Sequence, residues 1–177
     1  MPYAIELFFD ETVDRAIRRI WRDLADRRLA PYLAECGSRP HVSVAVYEDV
    51  DLPAAEERLK ELASTLTCFD VTMWNLGLFS SPPVVFYAPQ VTRHLLDMHE
   101  QFHKSFDGIG QGAAEYYLPN RWVPHCALAV HVDPIRFSQV VDRCRTTCEP
   151  ISGRVQEIGI VRYLPISQLC SFELSCK

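Results

Sequence analysis

The sequence predicts one domain of mixed strands and helices, folded as two related lobes, and three observations carry that prediction. The 177 residues are 48% hydrophobic and 23% charged, which suits one globular domain with an ample core and excludes disordered, collagen-like and disulfide-knot chains. Segments of strand character alternate with segments of helical apolar spacing along the whole chain. Finally, Arg39-Pro40-His41-Val42-Ser43-Val44-Ala45-Val46 aligns without gaps on Val123-Pro124-His125-Cys126-Ala127-Leu128-Ala129-Val130, sharing Pro, His, Ala and Val. Helices of similar length flank both copies. No proline, serine or charge run marks a linker, so residues 1–177 read as a single domain of two internally repeated lobes.

Residues 3–9 are aromatic and β-branched enough for a strand, and 12–29 place Val13, Ile17, Ile20, Trp21 and Leu24 at helical spacing. Gly37-Ser38-Arg39-Pro40 breaks the chain before a strand from His41 to Tyr47. Asp51 and Pro53 announce a helix whose inner face is Ala55, Leu59, Leu62 and Leu66. Strands at Phe69–Leu78 and Val84–Tyr87 follow, then a helix over 91–106 with the stripe Val91, Leu95, Met98, Phe102 and Phe106. The glycine-rich stretch 107–112 ends that helix and opens an irregular segment to about 121, the length of a site loop. A strand from Trp122 to His131 comes next. Asp133 then caps a helix with Pro134 at its first position, and strands near 153–161 and 169–175 close the chain.

Twenty-three acidic against 18 basic residues give a net charge of −5, so there is no bulk cationic field to hold duplex DNA, and a nucleic-acid substrate must be gripped locally. Seven cysteines, with no C-x-x-C pair among them, fit reduced thiols in the cytoplasm. The N-terminus lacks a basic segment followed by an apolar run, and no stretch is apolar enough to span a membrane. The expectation is a cytoplasmic monomer without a membrane partner.

Side chains alternate across a strand, so His41, Ser43, Ala45 and Tyr47 share one face and Val42, Val44 and Val46 the other. In the second copy His125, Ala127, Ala129 and His131 share a face, with Cys126, Leu128 and Val130 opposite. The valine face is core; the histidine face, small and partly polar, is a cleft wall, with Tyr47 and His131 at its far end. A lone histidine would usually do no more than bond a neighbouring carbonyl. Two Pro-His copies on equivalent strands instead bring two imidazoles together across a pseudo-twofold cleft, and imidazole is the side chain that works as acid or base near neutral pH. Such a pair suits displacement at phosphorus, one ring taking a proton from the nucleophile and the other giving one to the leaving oxygen, with no cofactor required.

His41-Val42-Ser43, preceded by Pro40, and Trp122-Val123-Pro124-His125-Cys126-Ala127-Leu128-Ala129 resemble the paired H-x-[S/T] motifs of the 2H phosphoesterase superfamily. The chain is most similar to its 2'-5' RNA ligase or RNA 2',3'-cyclic phosphodiesterase-like group. Leu76-Gly77-Leu78-Phe79 before a proline-bounded strand, and the closing Ile160-Val161-Arg162-Tyr163-Leu164-Pro165-Ile166, extend the similarity over essentially the whole chain. The resemblance implies an α+β fold: two pseudo-symmetric lobes, each an antiparallel sheet with helices packed outside, facing each other across a central cleft. It also implies a metal-independent phosphoesterase acting on 2',3'-cyclic phosphate ends of RNA, on small nucleotides with a cyclic or 2'-phosphate, or on 2'-5' linkages. His41 and His125 would exchange acid and base roles, and Ser43 would donate to a phosphoryl oxygen. Ala127 departs from the pattern, standing where the second motif carries Ser or Thr. Loss of such a donor costs about 100- to 1,000-fold in rate. The alternative reading is therefore a protein that binds nucleotides or RNA ends with little turnover.

Arg121, Trp122 and Tyr117, with Tyr116, precede the second motif in the long loop, where an arginine would meet phosphate and aromatics would stack on bases. His99-Glu100-Gln101-Phe102-His103 spells H-E-x-x-H on a helix, a zinc-hydrolase signature. Its usual extension fails, since Phe106 and Ile109 stand where Gly and a third His belong, and His99 flanks the apolar stripe. Zinc hydrolysis is the third reading, and no metal is assigned.

Overall fold

The computed structural model describes residues 2–163 and 165–176, so Leu164 of the closing motif lies outside them. Strand β1 (Tyr3–Phe9) is buried along its whole length. Helix α1 (Glu11–Asp26) starts where the Asp10 carboxylate accepts the Val13 N–H, and buries Val13, Ile17, Trp21 and Leu24. It ends three residues before the expected boundary because Arg28 turns left-handed, at φ 56°, and the Leu29 N–H bonds back to the Leu24 carbonyl. Helix α2 (Tyr32–Glu35), strand β2 (His41–Tyr47), the short β3 (Asp49–Val50) and helix α3 (Leu52–Thr65), capped by Asp51, follow. Strands β4 (Phe69–Ser80) and β5 (Pro83–Pro89) precede helix α4 (Arg93–Ser105). The short β6 (Gly110–Gln111) and strand β7 (Cys126–Ala129) are separated by the long loop. Helix α5 (Phe137–Thr147) then leads to β8 (Ile151–Arg162) and β9 (Ser167–Glu173). Among the described residues no helix is long and apolar enough to cross a membrane.

The large sheet is antiparallel throughout, in the order β2-β1-β8-β4-β5-β7, with β9 also on β8. Its two halves meet on β8. Val155 stands opposite Phe9 of β1 and Phe69 of β4; before it β8 pairs with β4, and after it with β1 and β9. One lobe is therefore β2-β1-β8-β9 and the other β7-β5-β4-β8. The order β1-α1-β2-α3-β4 recurs as β5-α4-β7-α5-β8, which is the repeat read from the two Pro-His segments. The helices tie the lobes together: α1, which follows β1, packs on β7 and β8, and its Trp21 donates to the Ala127 carbonyl at 3.0 Å. His99 of α4, which follows β5, reaches the Val44 carbonyl of β2. This exchange draws β2 and β7, the two ends of the sheet, into contact.

Four expectations are corrected. Strand β7 covers only Cys126–Ala129 of the expected 122–131, since Pro124 has no N–H to give a ladder and His131 turns to φ 51°. The expected alternation on β2 breaks at Val44, an extra residue between the pairs Ile5–Ala45 and Glu6–Ser43. Beyond that bulge Ala45 and Tyr47 are buried rather than forming a cleft wall, and Gly110 lies so close to the Tyr47 ring that no side chain fits there. Val91 precedes α4 and is 53% exposed, so the apolar stripe begins at Leu95. Cys68 and Cys176 form a disulfide, where reduced thiols were expected throughout, because the C-terminal segment runs beside the start of β4, with the Ser175 N–H bonded to the Leu66 carbonyl.

Candidate active site

The two motif histidines take equivalent places on their strands: His41 is the first residue of β2 and His125 immediately precedes β7. Their anchoring is the same. His41 Nδ1 lies 2.6 Å from the Arg39 carbonyl and His125 Nδ1 lies 2.8 Å from that of Val123, in both cases two residues upstream. A carbonyl can only accept, so each ring carries its Nδ1 proton there and keeps Nε2 as the atom left for proton transfer. Both rings are half-buried. Burial holds the His125 imidazole below the ordinary histidine value; its bond to Val123 opposes this, and the charge of His41 adds to it. The thiol of Cys126, next to His125, is fully buried, and burial pushes it up to about 12.

A cavity of about 450 Å³ opens beside His125, lined by Phe79, Val84, Tyr116, Tyr117, Arg121 and Val123 among others. Phe79 meets the His125 ring edge-on at 4.9 Å, and Phe86 backs it at 5.3 Å. Arg121 pairs with Glu115, and both side chains are exposed, so the guanidinium is free to turn toward an anion. Of the residues expected at the site, His125, Tyr117 and Arg121 are thus brought to one cavity. Ser43 lies two residues from His41, its hydroxyl beside that of Tyr163. Ala127 is half-buried on β7, its carbonyl engaged by Trp21.

Trp122 is placed differently from a base-stacking residue. Its indole lies on the His99 ring and donates to the Ser43 carbonyl at 3.0 Å, so it props the first motif from behind. The H-E-x-x-H histidines belong to the same support. Their Nε2 atoms are 3.2 Å apart and both face the carbonyls of Val44 and Tyr117. Burial lowers His99 to about 4, with the charge of His103 next, and lowers His103 as well, so both rings are neutral donors at neutral pH. Glu100 is exposed, and among the described residues no group of three or more His, Cys, Asp or Glu gathers to hold a metal ion.

The residue that sequence reasoning missed is Glu6. It is the one charged side chain in β1, and its carboxyl is 1% exposed. Oε1 stands 3.4 Å from His41 Nε2 and accepts from the Tyr163 hydroxyl at 3.2 Å. The available signal was a lone acid inside a strand whose neighbours on both sides are apolar, a placement that buries it whichever face it takes.

Comparison with known proteins bears on the fold and the family. No curated protein matches the chain in sequence. Among solved structures, TT0787 of Thermus thermophilus superposes with a TM-score of 0.62 at 18% identity over 100% of both chains. E. coli LigT, solved in complex with 3'-AMP, gives 0.57 at 17% identity over 99% of both. Kluyveromyces marxianus Usb1 gives 0.52 at 10% identity, over 98% of this chain and 97% of its own. These likenesses establish the α+β fold of two antiparallel lobes. The description of the 2'-5' RNA ligase superfamily matches residues 9–165, nearly the whole chain and both Pro-His segments, and the chain belongs to that superfamily.

Proposed function

We propose that the protein is a metal-independent phosphoesterase that opens 2',3'-cyclic phosphates on RNA ends or small nucleotides, or cleaves 2'-5' linkages. The observation that carries this reading is the matched anchoring of His41 and His125, each held through Nδ1 by the carbonyl two residues upstream so that Nε2 is the nitrogen left for proton transfer. In hydrolysis one Nε2 takes a proton from water as its oxygen bonds to phosphorus. The ribose oxygen then leaves with a proton from the other ring. Ser43 stabilises charge growing on a phosphoryl oxygen, and Arg121 meets a second. The cavity lined by Phe79, Tyr116 and Tyr117 is wide and aromatic enough for a base. Solved structures of LigT with 3'-AMP and with ATP support a nucleotide as substrate. One chain supplies both histidines, so a monomer suffices, and the absence of a long apolar helix among the described residues is compatible with work in the cytoplasm.

The test is direct. Purified protein in EDTA should open cyclic nucleotides or cyclic-ended oligonucleotides between pH 5 and 8; no product anywhere in that range would refute catalysis on this class. Ala127 favours a second reading, a binder of phosphorylated nucleotides with little turnover. Calorimetric binding without product supports it, whereas a large rate gain in Ala127→Thr would show an enzyme limited by one missing hydroxyl.

A further inference from the structure

Glu6 and His41 face each other under a constraint that neither residue shows alone. His41 has committed its Nδ1 proton to the Arg39 carbonyl at 2.6 Å, so in the neutral ring Nε2 presents only a lone pair. An ionised Glu6 also presents only lone pairs, and its Oε1 is 3.4 Å from that nitrogen in a place where the carboxyl is 1% exposed. Two bare acceptors cannot rest so close in a buried site without a proton for them to share. Nor is the charge of Glu6 met elsewhere: Oε2 has no hydrogen-bond partner, and Oε1 receives one bond from the neutral Tyr163 hydroxyl. Arg39, the nearest cation, is spent on Glu157, bonded at 2.7 and 3.0 Å through two nitrogens.

We propose that Glu6 is a positioning residue that shares one proton with His41 along the Oε1–Nε2 line, so that His41 begins each turnover as proton donor and His125 as proton acceptor. This rests on the two-histidine phosphoesterase reading above. The proton resides on Nε2 beside a carboxylate or on Oε1 beside a neutral ring, and it passes to the leaving oxygen from Nε2. His125 has no carboxylate within ion-pair distance among the described residues, and burial keeps it neutral. In the forward step His125 takes the proton of water as the new P–O bond forms, and the P–O bond to ribose breaks as the ribose oxygen takes the shared proton. Solvent then returns one proton to the pair and removes the one on His125.

The other titratable or charged groups facing Glu6 are Arg39, Tyr117, Tyr163 and Cys126. Burial pushes Tyr117, Tyr163 and Cys126 upward, so none of these three trades a proton with it near neutral pH. Burial raises Glu6 itself from the ordinary carboxylate value, with His41 the largest opposing influence. That ordering supports one exchange partner.

The experiment follows the Glu6 side-chain carbon and the His41 ring by NMR in the unligated chain between pH 4 and 9. The expected result is one coupled titration in which both resonances move together. A Glu6 carboxyl that titrates alone near the ordinary value, with the His41 ring indifferent to it, overturns the proposal. Glu6→Gln keeps the shape and the Tyr163 contact, and should move proton release from His41 about tenfold in proton concentration toward acid while the His125 signal moves less. An unmoved His41 signal in the folded variant also overturns it. These readouts need no turnover, so the shared proton is tested even if the protein fails to open cyclic phosphates. With turnover, an aryl phosphodiester whose nitrophenolate leaves unprotonated separates the roles. His41→Ala should recover at least about tenfold relative to its loss on a cyclic nucleotide, while His125→Ala recovers nothing. The reverse pattern would exchange the assignment and refute it.

Discussion

The indole of Trp122 lies flat on the imidazole of His99, ring centres 4.0 Å apart and planes 2° from parallel. One end of this stack is tied to the Val44 and Tyr117 carbonyls through His99, and the other to the Ser43 carbonyl through the indole N–H. The Val44 carbonyl is available because the bulge at that residue releases it from the ladder with β1. A helix of one lobe thereby holds the first motif strand and the loop that carries Tyr116, Tyr117 and Arg121.

This support should show in the pH dependence of stability. His99 is held at about 4 and His103 below the ordinary 6.5, so the unfolded chain binds more protons than the folded one between those values. Their contribution is full above pH 6.5 and is lost as pH falls toward 4, at about 1.4 kcal/mol per unit of offset. Thermal melts at pH 7.5 and 5 should differ accordingly, and His99→Gln should flatten the difference. A variant that keeps the full acid sensitivity would assign it elsewhere.

Removing a proton carrier should cost far more activity than stability. His41→Ala and His125→Ala are each expected to lower kcat by about 100- to 10,000-fold, and the double variant by less than the product, because the two rings act as one unit. His125→Ala should barely change the melting temperature, whereas His41→Ala leaves the Glu6 carboxyl buried without its partner and should lower it modestly. Single-turnover assays on a cyclic nucleotide supply the comparison.

The rising limb of kcat/KM reports the base of the free enzyme, which works only when neutral. Burial lowers His125, so that limb should lie on the acid side of pH 6.5. A rate profile collected from pH 4.5 to 8 checks it; a limb at 7 or above contradicts the environment described for this ring.

Tyr116 is 78% exposed yet lines the cavity beside His125. Base stacking on an aromatic ring contributes about 1–3 kcal/mol, so Tyr116→Ala should raise KM for a nucleotide by roughly tenfold to a hundredfold with little change in kcat or melting temperature. A kcat loss equal to the KM gain would place the ring in the chemistry instead.

The amino-acid sequence alone determined the alternation of elements, the repeat and the two Pro-His segments, because these are written in local periodicity and in residues such as Asp10, Asp51 and Asp133 that start helices on their own. It also placed His41 and His125 at equivalent positions of that repeat, since a repeat is visible wherever its copies fold. Tertiary structure decided what each neighbour does. Parity along β2 placed Tyr47 in the cleft, but the bulge at Val44, a property of pairing with β1, sends it into the core. The H-E-x-x-H pair has zinc spacing, yet carbonyls from a strand 55 residues away and a loop 18 residues away make its rings hydrogen-bond donors. Glu6 gained its place beside His41 from antiparallel pairing of two strands separated by a whole helix. Such contacts join residues distant in sequence, and their energies depend on burial and on the partner that packing supplies, which no local pattern encodes.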